Sequence, residues 1–311
     1  MPTWKNYLTP QTIDEALTAL SSAPGPSRLV GGGTDLLLDL QQGRHPPVDT
    51  LVDVTAIPEL RLLEPRRDRL FIGAAVPLKL IATSPLVSAQ ARALAEACVL
   101  IGGPQVRNTA TLGGNVAHAL PAGDGTIALT ALDAQAEVAG PYGRRRAAML
   151  DLFRGPGQST LDPHCELLVG FYLKPTGAGE GSAFARVMRP QGVALPILNM
   201  AAWLRIAGGR VVEARLAAGP AGPTPQRVPA AEEILLGHVI DESILDGAAQ
   251  ALLASVRYRT SPQRASAEYR RHLSRSLLGE VLTKAWQRAL AQNQDFNTNG
   301  ANLPNDTNKN L

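Results

Sequence analysis

Residues 29–37 of this chain read LVGGGTDLL, three glycines set between two apolar pairs. Arg28 and the pair Leu29–Val30 predict a short buried strand, and Thr34 is placed to cap a helix that runs to about Gln41. A strand that passes through glycines into a helix N-terminus presents free backbone N–H groups, which suit a phosphate or diphosphate. The run lacks the lysine of a P-loop and the spacing G-x-G-x-x-G, so a tight turn without a ligand is an equally good interpretation of this stretch alone.

A second glycine-rich stretch, residues 102–124, reads GGPQVRNTATLGGNVAHALPAGD. It lies between two predicted helices, and we expect it to form a long irregular loop, which is uncommon inside a compact domain unless it is functional. Thr111, Asn115 and Asp124 can hydrogen-bond a ligand, and the glycines allow a flat ligand to approach the main chain. A surface loop without a ligand is the alternative.

The rest of the chain predicts an α+β fold rather than a steady alternation of strands and helices. A capping box at Thr12 and Glu15 starts the first helix, and TGAGEG at residues 176–181 is the clearest linker. Strand signals and then helix signals follow the linker. We therefore predict an N-terminal domain over residues 1–176 with subdomains of about 1–56 and 57–176, a C-terminal domain over residues 177–290 that holds a three-stranded antiparallel sheet with helices, and a disordered tail over residues 291–311.

Composition and charge argue against several kinds of function. The chain has two cysteines in 311 residues, Cys98 and Cys165, which cannot alone ligate an iron–sulfur cluster or a four-cysteine zinc site, so we predict no metal site. A formal net charge of +3 is weak evidence for nucleic-acid binding, which we do not expect. No signal-peptide pattern and no run of roughly 20 apolar residues is present, so we expect a cytoplasmic protein without a membrane span.

Together the two glycine stretches resemble the FAD-binding medium subunits of the molybdenum hydroxylases, the family of xanthine dehydrogenase and carbon monoxide dehydrogenase. Residues 31–37 resemble the family motif A-G-G-x-S/T-x-L-L, and residues 111–124 resemble T-I-G-G-N/D-x-x-x-A-x-P-x-x-D. The resemblance covers roughly residues 3–290. Its later parts are residues 182–189, 219–227 and 266–273.

The resemblance implies a two-subdomain FAD-binding fold of the vanillyl-alcohol-oxidase/PCMH type, followed by a small α+β domain. It implies that the first stretch holds the FAD diphosphate and that the second contacts the ribityl, ribose or phosphate groups and the isoalloxazine ring. The cofactor-binding residues that it implies are Val30, Gly31, Gly32, Gly33, Thr34, Asp35, Ile101, Gly102, Thr111, Gly114, Asn115, His118, Asp124, Leu168 and Arg186.

The function implied by the resemblance is that of an electron-transfer oxidoreductase subunit. FAD would receive electrons from [2Fe–2S] clusters of a small partner subunit and pass them to an external acceptor, while a large partner subunit oxidises substrate at its molybdopterin cofactor. The assembly would be a dimer of heterotrimers. Because flavin carries the redox chemistry, no residue is assigned as catalytic, and His118 is a cofactor neighbour with a general base as the alternative. A stand-alone flavin oxidase of the related fold and a non-catalytic nucleotide-binding assembly module are the alternative functions.

An arginine-rich segment near the C-terminus has two interpretations. It could dock a partner subunit, or it could be a solvated helix face whose arginine stems pack on apolar surface. Its members are Arg257, Arg259, Arg264, Arg270, Arg271 and Arg275.

Overall fold

The computed structural model describes residues 4–189, 195–262 and 264–300. Its first elements are β1 (Asn6–Leu8), α1 (Ile13–Ser21), β2 (Ser27–Val30), α2 (Leu36–Gln41) and β3 (Thr50–Asp53). The strands form a parallel sheet in the order β1-β3-β2. The predicted cap of α1 is confirmed, because Thr12 Oγ1 accepts a hydrogen bond from the N–H of Glu15 (3.2 Å), although the Glu15 carboxylate reaches the N–H of Gln11.

The helix predicted to run to about Gln41 is confirmed as α2, but the prediction that Thr34 caps it is wrong. The N–H of Leu37 already bonds to the carbonyl of Gly33 at 3.0 Å, so Thr34 lies inside the first turn. Asp35 precedes the helix and makes no side-chain capping bond. The start of α2 is therefore set by the backbone of the glycine run.

An antiparallel sheet with helices follows. Its elements are β4 (Leu63–Arg66), β5 (Arg69–Gly73), α3 (Leu78–Thr83), α4 (Pro85–Gln90), α5 (Arg92–Leu100), α6 (Pro104–Thr109), α7 (Leu112–Ala117), α8 (Asp124–Ala131), β6 (Gln135–Gly140), β7 (Gly143–Ala148), β8 (Phe153–Gly155), β9 (Gln158–Ser159) and β10 (Leu167–Leu173). Five strands form one sheet in the order β4-β5-β10-β6-β7. One face packs on α3, α5 and α8, and the other packs on α1 of the parallel-sheet unit.

The expectation of a long irregular loop at residues 102–124 is wrong, because this stretch folds into α6 and α7 and leads into α8. Pro104 occupies the first turn of α6, where its fixed φ and missing N–H are tolerated. Thr111 caps α7 through its hydroxyl. The small residues that suggested a loop instead allow short helices to pack closely.

The C-terminal part consists of β11 (Glu180–Val187), β12 (Leu198–Ala207), β13 (Arg210–Gly219), β14 (Gln226–Arg227), α9 (Pro229–Leu235), α10 (Glu242–Ser255) and α11 (Ala267–Gly300). The three predicted antiparallel strands are present, and the two-residue β14 adds a fourth at the edge of the sheet. α9, α10 and α11 cover this sheet with a second apolar core. α11 continues to Gly300, where the sequence predicted a tail from residue 291, and residues 301–311 lie outside the described part.

The two halves of the chain are joined by a polar contact between α5 and α11. Arg288 forms an ion pair with Glu96 (Nη2 to Oε1, 2.5 Å) and also donates to the carbonyl of Ser182 at 2.6 Å. Ser182 Oγ in turn accepts a hydrogen bond from the N–H of Ala93 at 3.2 Å. These bonds hold the C-terminal sheet and α11 against α5, the helix that precedes the second glycine stretch. The boundaries between residues 176 and 177 and between the two subdomains stay a prediction.

Candidate functional site

The two glycine stretches, far apart in sequence, lie against each other. A Cβ atom added at Gly32 would stand 2.2 Å from the carbonyl oxygen of Thr109 and 2.6 Å from the Cα of Ala110. A Cβ atom added at Gly31 would stand 2.8 Å from Thr111 Oγ1. Only glycine lets two backbones approach this closely. The stretches that the sequence singled out separately therefore form one continuous surface.

The first stretch lies at the carboxyl end of the parallel sheet. β2 ends at buried Val30, whose carbonyl accepts a hydrogen bond from the N–H of Val54 at 3.0 Å. Asp53 fixes the turn after β3 by accepting bonds from the N–H and the hydroxyl of Thr55, at 2.8 and 2.6 Å. Gly33 follows with a φ of 67°, in the left-handed region that favours glycine. Ligands of sheets with parallel strands commonly bind beyond this end of the strands.

Backbone N–H groups of the first stretch are free to bind an anion. Those of Gly32, Gly33 and Thr34 donate to no other residue in the described part of the chain. The three residues are half-buried, and Asp35 beside them is exposed. Successive unpaired N–H groups at a turn make a concavity that suits a phosphate or diphosphate.

The second stretch is fixed to the five-stranded sheet by backbone contacts. The N–H of Gly113 donates to the carbonyl of Ala74 at 2.8 Å, and a Cβ atom on Gly113 would stand 2.6 Å from the Cβ of Ala74. Thr111 is buried, and its Oγ1 accepts from the N–H of Gly114 at 3.1 Å. The same hydroxyl faces Gly31, so Thr111 stands at the junction of the two stretches.

Ile101 and Gly102 are held by an arginine from the same stretch. Arg107 Nη1 donates to the carbonyl oxygens of Ile101 and Gly102, at 3.2 and 2.5 Å. Gly102 has a φ of 56°, which turns the chain sharply between α5 and α6. The sequence predicted no role for Arg107. Its role here is to fix two residues of the candidate site.

Asp124 is a buried carboxylate at the start of α8. It pairs with the guanidinium of Arg186, whose side chain is equally buried, and it accepts a hydrogen bond from Asn199 Nδ2 at 2.6 Å. Burial raises the pKa of Asp124, while the charge of Arg186 and the bonds from Asn199 and Arg186 oppose that rise. Two predicted site residues, Asp124 and Arg186, are thus in direct contact. A buried pair of this kind depends on both partners being present.

Three buried polar atoms around Asp124 have no hydrogen-bond partner among residues 4–189, 195–262 and 264–300. They are Thr126 Oγ1, Arg186 Nε and Asn199 Oδ1. Buried polar atoms are almost always paired, so an unpaired group of this kind can still form a hydrogen bond with a bound ligand. FAD carries hydroxyl, carbonyl and phosphate oxygens in one extended molecule. The unpaired side chains and the free N–H groups of the first stretch fit such a cofactor.

The remaining predicted residues are spread around this centre. Asn115 Oδ1 accepts a bond from the N–H of Thr126 at 3.3 Å, which places it beside Asp124. His118 follows the last residue of α7, is half-buried and forms no side-chain hydrogen bond with any described residue. Leu168 is buried in β10, in the apolar core beneath α7.

Asn199 and Thr126 lie at the candidate site, and the sequence predictions did not include them. Asn199 is fully buried on β12, and Thr126 is fully buried on α8. The signal for Asn199 was available, since a lone amide inside the apolar run LPILNMAAWL is unusual for a buried strand. Its partner in space could not be read from the sequence, because it lies on another domain.

The arginine-rich segment is partly used inside the chain. Arg270 is buried and donates to the carbonyl oxygens of Ile197 (3.0 Å) and Arg259 (2.5 Å). Arg271 donates to the carbonyl of Leu253 at 3.3 Å, and an ion pair joins Arg275 to an aspartate of α10. At least three of the six arginines therefore bind within this chain.

Among the residues that the structure describes, no group of three or more histidine, cysteine, aspartate or glutamate side chains could hold a metal ion. Within the same residues, no helix combines the length and the apolarity that crossing a membrane requires.

The fold and the candidate site are those of a cofactor-binding protein whose C-terminal sheet contacts the site. Comparison with known proteins specifies the class. Residues 3–173 match the family described as the FAD binding domain in molybdopterin dehydrogenase, and residues 182–285 match the CO dehydrogenase flavoprotein C-terminal domain. The chain belongs to the family of FAD-binding medium subunits of xanthine and carbon monoxide dehydrogenases.

Individual relatives match over nearly the whole chain. The xanthine dehydrogenase FAD-binding subunit of Escherichia coli O157:H7 is 31% identical over 286 residues, which are 90% of this chain and 95% of that protein. The nicotine 6-hydroxylase medium subunit of Paenarthrobacter nicotinovorans is 33% identical over 284 residues, 91% of this chain and 97% of that one. The solved carbon monoxide dehydrogenase from Hydrogenophaga pseudoflava superposes with a TM-score of 0.87 at 30% identity, covering 93% of this chain and 99% of that one. The predicted class, fold and cofactor are confirmed.

Proposed function

We propose that this chain is the subunit of a cytoplasmic molybdenum hydroxylase in which FAD receives electrons from the [2Fe–2S] clusters of a small partner subunit and delivers them to an external acceptor. Substrate is oxidised at a molybdopterin cofactor on a large partner subunit, and the complex is a dimer of heterotrimers. Two observations support the proposal: the two glycine stretches are in contact, and buried polar atoms around Asp124 are unpaired. The names of the relatives, medium subunits and medium chains of dehydrogenases, support it.

The first glycine stretch would hold the FAD diphosphate. The free N–H groups of Gly32, Gly33 and Thr34 supply donors without adding a charged side chain, and Gly31 lets them come close to the second stretch. Val30 anchors this stretch to the parallel sheet, and Asp35 borders it on the solvent side. The chain thus offers the diphosphate a rigid backbone surface rather than flexible lysines.

The second stretch and the C-terminal sheet would hold the remainder of FAD. Thr111, Gly114, Asn115 and Asp124 would contact the ribityl, ribose or phosphate groups, with Arg186 beside them. Ile101 and Gly102 would lie against the isoalloxazine ring, and His118 and Leu168 would border the cofactor. The acceptor oxygens of Asp124 suit hydroxyl groups, and the Nε of Arg186 is a spare donor.

When bound, FAD supplies the redox chemistry, taking up electrons from the clusters and giving them to the acceptor. The residues of this chain bind and orient the cofactor and exclude water from its buried part. The chain's two cysteines are too few for the four cysteine ligands of a [2Fe–2S] cluster, so the clusters belong to a partner.

Isolation of the chain with its partners from the native cell tests the proposal. We expect a large chain that contains molybdopterin and a small cysteine-rich chain with two [2Fe–2S] clusters to co-purify in equal amounts with this one. We also expect the flavin absorbance to bleach when the complex receives its substrate without an acceptor. A chain that purifies alone, carries FAD and oxidises a substrate unaided would instead establish a stand-alone flavin oxidase.

A further inference from the structure

Asn199 links the C-terminal sheet to the candidate cofactor site. It lies near the start of β12, is fully buried, and its Nδ2 donates to the carbonyl oxygen of Ala122 (3.0 Å) and to Asp124 Oδ1 (2.6 Å). Both partners are hydrogen-bond acceptors, so the amide nitrogen must face them. The amide orientation is therefore fixed by the chemistry of its neighbours.

The opposite side of the Asn199 amide faces the neighbouring strand. Asn199 pairs with Gly219 of β13, and a Cβ atom on Gly219 would stand 2.8 Å from Asn199 Oδ1 and 2.3 Å from the carbonyl oxygen of Pro121. Gly219 thereby lets β12 and β13 close onto the stretch that leads to Asp124. The position of Asn199 is set by strand pairing in one domain and by contact with the other.

Both side chains that orient the Asp124 carboxylate come from the C-terminal sheet. Arg186 of β11 bonds to Oδ2, and Asn199 of β12 bonds to Oδ1. Each carboxylate oxygen keeps acceptor capacity for a further donor. The orientation of this N-terminal carboxylate is thus set by two residues of the C-terminal sheet.

We propose that Asn199 is a positioning residue of the FAD site, through which the C-terminal domain sets the affinity of the N-terminal domain for the cofactor. This inference rests on the proposed role of Asp124 in binding FAD. Without the Asn199 amide, Asp124 keeps only the hydrogen bond from Arg186, which reaches one of its two carboxylate oxygens. The carboxylate then rotates away from the direction in which a ligand hydroxyl would meet it.

The test measures FAD affinity and apoprotein stability in the full chain. Asn199→Leu removes the donor at similar volume, and Asn199→Asp places an acceptor opposite the Asp124 carboxylate. Arg288→Leu is the matched control, because it also removes a bond between the two domains but one that joins α5 and α11. We expect both Asn199 variants to raise the Kd for FAD at least tenfold, while Arg288→Leu lowers the Tm of the apoprotein and changes the Kd less than threefold.

A double-mutant cycle separates positioning from a general loss of stability. If Asn199 acts through Asp124, Asn199→Leu changes the FAD Kd less than threefold in an Asp124→Asn background. A full additional tenfold loss in that background, or an unchanged Kd for both Asn199 variants, overturns the inference. Failure of the unmodified chain to bind FAD would overturn the proposed site itself, and so would be distinguished from a failure confined to Asn199.

Discussion

The closest contact between the two glycine stretches predicts a large effect of a single methyl group at Gly32. In Gly32→Ala the new Cβ would stand 2.2 Å from the carbonyl oxygen of Thr109, and that distance must lengthen to about 3.4 Å for ordinary van der Waals contact. The neighbouring atoms are backbone, so no side chain can rotate to make room. The two stretches must therefore separate by more than 1 Å.

This separation of the two stretches should lower both the free energy of unfolding and the affinity for FAD. Overpacking of this kind costs about 1–3 kcal/mol of folding free energy. The donor–acceptor distance of an N–H···O hydrogen bond varies by only about 0.5 Å. A shift of more than 1 Å therefore disrupts at least one bond from these N–H groups to a phosphate. A hydrogen bond to a charged group contributes about 1.5–3 kcal/mol, which corresponds to roughly a 10- to 100-fold rise in the Kd for FAD.

The assay is an equilibrium titration of FAD, followed by quenching of its fluorescence, together with thermal unfolding of the apoprotein. Gly279→Ala is the matched control, since a Cβ at Gly279 meets nothing within 4 Å and alanine is the better helix former in α11. It should leave the Kd unchanged and raise stability slightly. A Gly32→Ala chain that binds FAD as tightly as the unmodified chain would show that the close contact of the two stretches does not control cofactor binding.

Three further perturbations have defined outcomes. Asp124→Asn leaves the buried charge of Arg186 without its counter-charge, so unfolding free energy should fall by about 3–5 kcal/mol by denaturant titration, and FAD should bind more weakly. Thr111→Val removes the hydroxyl that caps α7 and should cost about 1 kcal/mol in the same assay. Burial and the hydrogen bond to Asp53 raise the pKa of Tyr7 to about 12, so its contribution to stability is complete below pH 10 and lost as the pH rises to 12. An ultraviolet titration should show a late tyrosinate that Tyr7→Phe removes.

Local signals in the sequence predicted most of the fold. The cap at Thr12 identified the first helix, and apolar runs identified the C-terminal strands. Residues 102–124 were harder, because their small residues are typical of loops. Their two helices, α6 and α7, have only six residues each. Thr111 caps α7, and backbone bonds tie it to the sheet, and no local pattern shows these contacts.

The sequence predicted which residues of the two glycine stretches belong to the candidate site, but it did not predict that the two stretches contact each other. Glycines at 31 and 32 indicated a close approach of something to the backbone, yet the sequence could not say that the second stretch is what approaches. Asn199 was missed for the same reason, since its partners at Ala122 and Asp124 lie on another domain. Long-range packing determines both the contact between the two glycine stretches and the partners of Asn199.

The stoichiometry of FAD on the purified full chain shows whether this chain binds the cofactor. After removal of any bound flavin and incubation with excess FAD, gel filtration and absorbance near 450 nm give the ratio of flavin to protein. We expect one FAD per chain for the unmodified protein and a much lower ratio for Gly32→Ala under the same conditions. A folded, unmodified chain that retains no flavin would show that the two glycine stretches do not form an FAD site.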